Sequence, residues 1–246
     1  MLAIIGGSGL TQLSGWVLSR SEVIRTPYGD PSASLAIGTL QGAEVVFLAR
    51  HGPKHTIPPH QINYRANIWA LKEMGALRIL SVATVGGIGA QYSPGSLVVP
   101  HQIIDYTWGR RQTFFDNGEA VTHIDFTEPY SEEMRAAMLA GANAAGEAVL
   151  PRGVYAVTQG PRLETAAEID RLERDGADLV GMTAMPEAAL SRELGIAYAA
   201  LAVVANYAAG RGDSLKRIDL EAIQAIHHEG MARVGRVIDG LLGGMK

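Results

Sequence analysis

Hydrophobic and polar positions follow two alternating patterns along the whole chain. Eight short runs are mostly apolar without a helical period, which is typical of strands covered on both faces of a sheet; they lie at 2–5, 35–37, 45–48, 79–83, 97–100, 153–158, 179–181 and 197–204. Between these runs, apolar residues recur at the spacing of a helix face; the predicted helices cover 63–74, 131–148, 165–175, 185–194 and the segment from 219 onward. Strands that alternate with helices predict an α/β fold with a mixed central sheet flanked by helices. No segment rich in Pro, Gly or Ser divides the chain, so we expect a single domain over 1–246.

A long segment, 105–130, follows neither pattern and contains His123. Structureless loops of this length inside a compact domain are uncommon and are often functional. We therefore expect this segment to be either a flap over a functional site or a contact between subunits.

The composition narrows the class of protein. With 47% hydrophobic and 19% charged residues, the chain resembles a soluble globular enzyme and not a disordered protein. Its net charge of -4 disfavours nonspecific binding to nucleic acid, which favours a basic surface. The absence of cysteine excludes disulfides and thiolate metal sites. No apolar run approaches the roughly 20 residues that span a bilayer, and no basic leader precedes the first strand-like run, so we expect a cytoplasmic protein.

Two short motifs follow apolar runs near the start of the chain. A Gly-Gly-Ser-Gly motif at 6–9 follows the run 2–5, and an Ala-Arg-His-Gly motif at 49–52 follows the run 45–48. A glycine-rich turn at the end of a strand leaves backbone amides and a hydroxyl free to face an anion. The Arg-His pair supplies cationic or hydrogen-bonding side chains at the same edge of the sheet. Together the motifs predict a site for an anion of the size of phosphate.

A dinucleotide site is the alternative that these glycines suggest. Its fingerprint is G-x-G-x-x-G at the opening of a helix. Gly7 and Gly9 fit this fingerprint, but Gln12 stands where the third glycine belongs. The second glycine cluster, 86–89, runs into a Tyr-Ser-Pro-Gly turn and not into a helix. A nicotinamide or flavin enzyme is therefore disfavoured.

Ordered motifs continue along most of the chain. They lie at 6–10, 26–29, 49–52, 55–58, 63–72, 94–95, 160–162, 181–183, 186–187 and at the strand that ends at Asn206. In this order and spacing, the chain resembles the trimeric purine nucleoside phosphorylase family, in particular its methylthioadenosine phosphorylase branch. The resemblance runs from residue 4 to about residue 240. It implies the nucleoside phosphorylase fold, a homotrimer, and inorganic phosphate as a co-substrate with no further cofactor.

The resemblance also implies the reaction and the residues that bind phosphate. In phosphorolysis, phosphate attacks a purine nucleoside and gives the free base and a ribose 1-phosphate. The transition state resembles an oxocarbenium ion, so an anion near C1′ stabilises it as well as attacking. A guanidinium suits this task because its planar fork can bind two phosphate oxygens at once, and no metal is needed. The implied phosphate-binding residues are Ser8, Arg50, His51, Ala83, Thr84 and Thr183.

Some of these residues also have simpler interpretations. An isolated His is more often a packed or surface residue than a ligand. Beside Arg50, His51 is favoured as a phosphate ligand, and His55 stays a candidate. A lone Met is by default core filler; the position of Met182 directly before Thr183 supports the sugar-facing role that the resemblance implies.

The residues implied to bind the base depart from the adenine-specific members of the branch. Those members carry an acid-x-acid pair after the strand that corresponds to 199–205, whereas this chain has Asn-Tyr-Ala at 206–208. The 6-oxopurine branch uses Asn at the first of these positions. Its amide can donate to O6 and accept from N7–H as the base leaves, which makes Asn206 the implied catalytic residue. The implied substrate-binding residues are Met182, Asn206, Tyr207 and Ala208.

Glu164 is a second indication of the base. The 6-oxopurine branch carries Glu at this position, where it accepts from N1–H of the purine. Adenine has only an acceptor at N1, so a carboxylate favours hypoxanthine or guanine and repels adenine. Alternatively, Glu164 is an acid in the first turn of the helix predicted at 165–175, where it interacts favourably with the helix dipole.

Ile218 is an indication of the substituent at the 5′ end of the nucleoside. Inosine-type phosphorylases place a His at the start of the final helix to bind the 5′-hydroxyl, and the matching residue here is Ile218. An apolar side chain accommodates a methylthio group and leaves a hydroxyl unsatisfied. Alternatively, Ile218 packs at the helix entry with Asp219 as the N-cap. His123 is implied to cover this end from a neighbouring subunit.

The expected substrate combines these indications. Asn206 and Glu164 predict a 6-oxopurine, and Ile218 predicts a 5′-methylthio sugar. We therefore expect phosphorolysis of S-methyl-5′-thioinosine, made by a separate deaminase, to hypoxanthine and 5-methylthioribose 1-phosphate. The alternatives are phosphorolysis of inosine or guanosine, then of methylthioadenosine. A catalytically inactive module that binds nucleoside or phosphate is the alternative from another class, and the intact Arg50, His51, Thr183 and Asn206 disfavour it.

Overall fold

A computed structural model of the chain describes residues 1–7, 14–116, 118 and 120–245. Its strands are β1 (Leu2–Gly6), β2 (Val17–Glu22), β3 (Leu35–Leu40), β4 (Ala43–Ala49), β5 (Arg78–Gly87), β6 (Leu97–Val98), β7 (Gln102–Asp105), β8 (Val149–Leu150), β9 (Val154–Val157), β10 (Leu179–Gly181) and β11 (Ala197–Tyr207). Its α-helices are α1 (Tyr64–Glu73), α2 (Glu132–Ala144), α3 (Ala166–Arg174), α4 (Ala184–Glu193) and α5 (Leu220–Gly244). Short 3-10 turns lie at Pro59–Gln61 and Gly212–Ser214. The predicted α/β class, with eight strands and five helices near their predicted positions, is confirmed.

The strands form one mixed sheet in which β5 is the central member. The order along the main path is β2-β3-β4-β1-β5-β10-β9-β7, and β11 pairs with β5 and β6 beside this path. The strands β1, β4, β5 and β11 are parallel to one another, so their carboxyl ends meet at one edge. β10 runs antiparallel to β5 and pairs only with its last residues, Gly86 and Gly87. The sheet therefore branches where β5 ends.

Apolar layers cover both faces of the sheet. In β1, Ile5 belongs to the layer beneath α1 and α4. Its neighbour Ile4 belongs to the opposite layer, which contains Met138 of α2 and Val234 of α5. Because successive strand residues point to opposite faces, a continuous apolar run is needed when both faces are buried. A smaller cluster beneath α3 completes the core.

Close helix packing explains a glycine pair on the second face. A Cβ on Gly141 of α2 would lie 2.5 Å from the backbone nitrogen of Leu241 in α5. A Cβ on Gly240 would lie 2.1 Å from the carbonyl oxygen of Gly141. These distances are far below van der Waals contact, so the two helices can approach only where both side chains are absent.

The structure corrects the predicted end of one helix and adds three strands. The helix predicted over 131–148 ends at Ala144, because Gly146 has a positive φ of 69° and the amides of 146 and 147 bond back to the last turn. The two-residue strand β8 follows at Val149–Leu150. β2 was not predicted because its residues 17–21 are exposed and lack an apolar face. β7 is also short and partly polar, at the far edge of the sheet.

The segment predicted to be irregular was 105–130; Asp105 is the last residue of β7, and among the described residues of 106–130 there is no helix or strand. Among the described helices, none combines the length and apolar character that crossing a membrane demands.

Candidate active site

A cavity of about 680 Å³ opens at the carboxyl ends of the four parallel strands. Gly7 follows β1, Arg50 follows β4, Gly86 belongs to the end of β5, and Asn206 belongs to the end of β11; all four line the cavity. In open α/β sheets, ligands bind in the crevice outside these strand ends. The loop 55–59, the segments 161–164 and 180–183, and the first turns of α5 contribute further lining residues.

The residues predicted to bind phosphate form one part of this lining, which we call the anion wall. It consists of Gly7, Arg50, His51, Ala83, Thr84 and Thr183. Thr84 is exposed although the residues on either side of it in β5 are buried, because its side chain faces the cavity. Thr183 occupies the N-cap position of α4, where its hydroxyl makes no capping bond. The predicted phosphate ligand Ser8 lies outside the described residues.

Arg50 reaches the anion wall with most of its donors already used. Its side chain is only 2% exposed, and Nε donates to Oε1 of Glu187 at 2.5 Å. Nη2 donates to Oε2 of Glu187 at 3.1 Å and to Oγ of Ser81 at 2.7 Å, and Nη1 donates to the carbonyl oxygen of Val82 at 3.0 Å. A guanidinium has five N–H donors, so one N–H of Nη1 has no acceptor among the residues that the structure describes. Bidentate phosphate binding, which the sequence suggested for Arg50, is not available in this arrangement.

The ion pair also determines the charge state of Arg50. Burial lowers the pKa of a guanidinium, but the charge and hydrogen bonds of Glu187 outweigh burial and raise the pKa of Arg50 above its usual range. Arg50 therefore stays charged, with its charge largely compensated by a neighbour behind the wall.

His51 presents a hydrogen-bond acceptor to the cavity. Its Nδ1 lies 2.8 Å from the carbonyl oxygen of Ile57. A carbonyl only accepts, so Nδ1 carries the proton and, in the neutral ring, Nε2 accepts. Burial and, secondarily, the charge of Arg50 lower the pKa of His51 to about 4, so the ring is neutral at neutral pH. The ring of His55 stacks on it with centroids 4.5 Å apart, which places this further candidate in the cavity lining.

The residues predicted to recognise the base lie together. Glu164, Asn206 and Ala208 line the cavity, and we call them the base wall. Oε1 of Glu164 accepts from the Thr158 hydroxyl at 2.7 Å, which leaves Oε2 for a ligand. Nδ2 of Asn206 donates to the carbonyl oxygen of Tyr207 at 2.7 Å.

Asn206 follows an irregularity in β11. The register between β11 and β5 shifts between Val204 and Asn206. A bulge re-aims the side chains that follow it, and here it brings Asn206 to the cavity. Tyr207 does not line the cavity; its ring packs against Gly212, where a Cβ would lie 2.3 Å from Cδ2 of Tyr207.

The alternative interpretation of Glu164 as an acid in the first helical turn is wrong. The N-cap of α3 is Thr165, and Glu168 occupies the first turn in a capping box with it. Hydrogen bonds from Arg162 and from the Thr165 amide lower the pKa of Glu168 to about 2. The acid that interacts with the dipole of α3 is therefore Glu168, whereas Glu164 precedes the helix.

The start of α5 supplies a mostly apolar part of the lining, which we call the helix wall. Its residues are Ile218, Leu220, Ile223, His227 and Met231. Asp219 caps the helix, since its Oδ1 accepts from the Glu221 amide at 2.9 Å. The two interpretations of Ile218 are thus compatible, because it stands at a capped helix entry and also faces the cavity. His123 is exposed and does not line the cavity of its own chain.

Met182 lines the cavity and is held from behind by Arg110. Nη1 of Arg110 donates to the carbonyl oxygens of Met182 and Met185, and Nη2 donates to those of Thr158 and Gln159. Arg110 thereby ties the segments after β9 and β10 together. Sequence reasoning missed it because it stands in an irregular loop with no pattern around it.

Several lining residues had no predicted role, and three of them share one helix. Leu220, Ile223 and Met231 lie on the cavity face of α5. Their helical period was visible in part, but a period alone does not distinguish a core face from a cavity face.

Within the described ranges, no group of three or more acidic or His side chains is arranged to hold a metal ion.

The comparisons with known proteins agree with this geometry. A family model described as "Phosphorylase superfamily" matches residues 2–243. The chain is 57% identical over 233 residues to a probable S-methyl-5′-thioinosine phosphorylase of Pseudomonas syringae, covering 94% of each chain. It is 48% identical over 215 residues to a 6-oxopurine nucleoside phosphorylase of Pyrococcus furiosus, covering 85% of this chain and 80% of the relative. Its structure is similar to that of methylthioadenosine phosphorylase from Schistosoma mansoni in complex with adenine, with a TM-score of 0.93, 30% identity, and coverage of 100% of this chain and 92% of the other.

Proposed function

Because the chain belongs to the phosphorylase superfamily, we propose that it cleaves S-methyl-5′-thioinosine with inorganic phosphate. The products are hypoxanthine and 5-methylthioribose 1-phosphate. The observation that carries the proposal is that Glu164 and Asn206 line the same cavity as the apolar residues at the start of α5. One part of the cavity therefore suits a 6-oxopurine, and another part suits an apolar 5′ substituent.

The anion wall binds the nucleophile. Orthophosphate accepts from the remaining N–H of Arg50, from the Thr183 hydroxyl and from the Thr84 hydroxyl. A phosphate oxygen forms the bond to C1′ as the bond from C1′ to N9 breaks, and the negative charge of phosphate stabilises the oxocarbenium character of the sugar. His51 accepts from an O–H group of phosphate or of the sugar, because its Nδ1–H is committed to Ile57.

The base wall stabilises the leaving group. The base gains at N7 the proton that hydrogen phosphate loses, by way of solvent, when its oxygen bonds to C1′. The Asn206 amide donates to O6 of the purine and accepts from the new N7–H, so the base leaves as a neutral molecule. Oε2 of Glu164 accepts from N1–H, which a 6-oxopurine has and adenine lacks. A half-buried carboxylate facing the bare N1 of adenine is repelled and unsatisfied, which is a basis for discrimination.

The helix wall selects the 5′ substituent. Ile218, Ile223 and Met231 surround a methylthio group with apolar atoms, and the thioether sulfur needs no hydrogen bond. A 5′-hydroxyl that contacts these three side chains loses its hydrogen bonds to water, and none of the three replaces them. The name of the Pseudomonas syringae relative supports this choice.

A second candidate substrate is inosine or guanosine. His227 lies in the helix wall. Burial, together with the charges of His55 and His228, lowers the pKa of His227. The neutral ring can then accept a hydrogen bond from a 5′-hydroxyl. The Pyrococcus furiosus relative, named a 6-oxopurine nucleoside phosphorylase, favours the same candidate.

The proposal extends to the setting of the enzyme. Inorganic phosphate is the co-substrate and no cofactor takes part. The enzyme does not bind nucleic acid or membranes, it works in the cytoplasm, and it assembles as a homotrimer in which His123 approaches a neighbouring cavity. Sedimentation of the purified chain tests the assembly.

Initial rates with four nucleosides test the substrate. We expect kcat/KM for methylthioinosine to exceed that for inosine and guanosine by about tenfold or more, and that for methylthioadenosine by about a hundredfold. All rates depend on added phosphate. If methylthioadenosine is cleaved best, the base-wall argument is wrong; if inosine equals methylthioinosine, the helix-wall argument is wrong.

A further inference from the structure

A buried carboxylate lies directly behind the anion wall. Glu187 is on α4, is fully buried, and does not line the cavity. Its Oε2 accepts from three donors: Nη2 of Arg50 at 3.1 Å, Oγ of Ser81 at 3.1 Å and the Tyr198 hydroxyl at 3.0 Å. Its Oε1 accepts from Nε of Arg50 at 2.5 Å.

We propose that Glu187 is a positioning residue that aims Arg50 and weakens the attraction of the site for phosphate. Two of the four contacts on Glu187 come from Arg50, so the carboxylate fixes the plane of the guanidinium. The one N–H of Arg50 without a protein acceptor in the described structure is then on Nη1, at the cavity. This inference rests on the proposed function only in that orthophosphate is the co-substrate.

The charge of Glu187 sets the sign of its effect on phosphate. An unpaired guanidinium at the cavity attracts a phosphate dianion strongly, because charges interact over several ångströms inside a protein. The carboxylate of Glu187, which lies behind Arg50, repels the same dianion and cancels most of this attraction. Phosphate binding then depends mainly on hydrogen bonds from neutral groups such as the Thr183 hydroxyl, and the charged ester product can leave.

The fixed orientation accounts for the effect of Glu187 on the rate. A donor that is already aimed needs no reorganisation when charge develops in the transition state. A guanidinium freed from Glu187 follows the bound phosphate instead, so it binds the ground state well and the transition state no better. Glu187 therefore lowers affinity and raises turnover.

A role in stability alone predicts a different result. A buried ion pair that only stabilises the fold would, on removal, lower thermal stability and leave phosphate binding unchanged or weaker. Tighter phosphate binding in a less stable variant is the result that separates the two roles.

The test compares Glu187→Gln with the unchanged enzyme. Isothermal titration with orthophosphate alone, in a buffer without sulfate, measures the dissociation constant, and initial rates measure kcat and both KM values. We expect phosphate binding to tighten by about three- to tenfold and kcat to fall by about tenfold, with the KM of the nucleoside changed less than about twofold. An unchanged or weaker affinity for phosphate overturns the proposal, and so does a wild-type chain that binds no phosphate.

Two variants serve as controls. Glu187→Asp keeps the charge, so its affinity for phosphate is expected to stay within about twofold of the wild type. Ser191→Ala changes a buried hydroxyl on the same helix whose Oγ has no hydrogen-bond partner in the described part of the chain. We expect it to leave phosphate binding unchanged.

Ser81→Ala carries the test if Glu187→Gln does not fold. It removes one contact to Arg50 and one to Glu187 but keeps both charges. We expect kcat to fall by about threefold or more and the affinity for phosphate to stay within about twofold. Tighter phosphate binding in Ser81→Ala would show that charge is not the cause, and an unchanged kcat would show that Arg50 is not aimed by this network.

The nucleoside does not enter the phosphate titration. A chain that binds phosphate as expected but does not cleave methylthioinosine contradicts the proposed substrate and leaves the role of Glu187 standing. The reverse result contradicts the role of Glu187 alone.

Discussion

The Thr158 hydroxyl donates to Oε1 of Glu164 at 2.7 Å and fixes the orientation of the half-buried carboxylate. The backbone amide of Thr158 donates to the carbonyl oxygen of Gly181 at 2.8 Å, and Gly181 belongs to the neighbouring strand β10. Glu164 is therefore held by the sheet, although it stands in a loop before α3. Its second oxygen is the one that remains for a purine.

Removing this hydroxyl tests whether the held carboxylate selects the base. In Thr158→Val the volume is kept and the hydrogen bond is lost, so Glu164 can turn away from N1–H. We expect kcat/KM for methylthioinosine to fall by about three- to tenfold, with the KM of phosphate unchanged. Thr39→Val, at an exposed position on β3, is the matched control and is expected to have no effect. Equal kinetics of the two variants would remove Thr158 from base selection.

Asn206 is the residue on which leaving-group stabilisation depends most. In Asn206→Asp the side chain can no longer donate to O6, and its charge opposes the developing charge of the base. We expect kcat/KM for 6-oxopurine nucleosides to fall by about a hundredfold, and the ratio of methylthioadenosine to methylthioinosine cleavage to rise. Asn143→Asp, at an exposed position in α2, controls for added charge. A constant substrate ratio in Asn206→Asp would contradict the assigned role.

The helix wall determines the choice between a methylthio group and a hydroxyl. Ile218→His places a hydrogen-bonding group at the entry of α5. We expect the ratio of kcat/KM for inosine to that for methylthioinosine to rise by about tenfold or more, measured by following hypoxanthine release. The exposed residue Leu215 lies outside the lining, so Leu215→His should leave the ratio unchanged. If both variants keep the wild-type ratio, Ile218 does not contact the 5′ substituent.

The histidine of the anion wall predicts a pH dependence of stability. The pKa of His51 is about 4 in the folded chain, below the ordinary 6.5, mainly because the ring is buried. Between these values the unfolded chain binds more protons than the folded chain, so stability falls as the pH decreases from 6.5 to 4 and changes no further from this cause below 4. After allowance for partial exposure of the ring, the loss is about 2 kcal/mol.

Thermal denaturation across this pH range measures the effect. His51→Asn keeps a donor towards the Ile57 carbonyl but does not titrate, so its Tm should decrease less between pH 6.5 and pH 4 than that of the wild type. His60→Asn, at an exposed position, should follow the wild-type curve. Parallel curves for His51→Asn and the wild type would show that His51 is not the group responsible.

The strands and helices were predictable where burial requires a recognisable pattern of apolar residues. A strand covered on both faces must be apolar throughout, so β4, β5 and β11 were visible as continuous runs. The exposed edge strand β2 carries no such requirement, and its pairing with β3 is decided by neighbours that a local pattern does not contain. The end of α2 depended on Gly146 in a left-handed conformation, a signal that the sequence contained and that the prediction of 131–148 overlooked.

Most residues that line the candidate site could be predicted, but the contacts that they make with other residues could not. Arg50 follows β4 and Asn206 lies at the end of the parallel strand β11, while Thr183 follows β10, which pairs with the end of β5, so their convergence follows from the topology of the sheet. The occupation of Arg50 by Glu187 does not, because 137 positions separate the two residues. Arg110 stands in an irregular loop, and only the three-dimensional structure shows the carbonyl oxygens that it joins.

The parallel strands and the segments that follow them divide the cavity into parts that can change independently. The residues of the anion wall lie in β5 or within two residues of the ends of β1, β4 and β10, and all four strands have neighbours on both sides in the sheet, so an alteration there disturbs the core. Asn206 is paired with Gly86 of β5, but most of the other base and 5′ residues lie at 163–164 and 218–231, in a loop and at the start of α5, where no sheet neighbour constrains them. A chain of this architecture can change its nucleoside specificity through a few substitutions before α3 and at the start of α5. The residues that bind phosphate can stay the same.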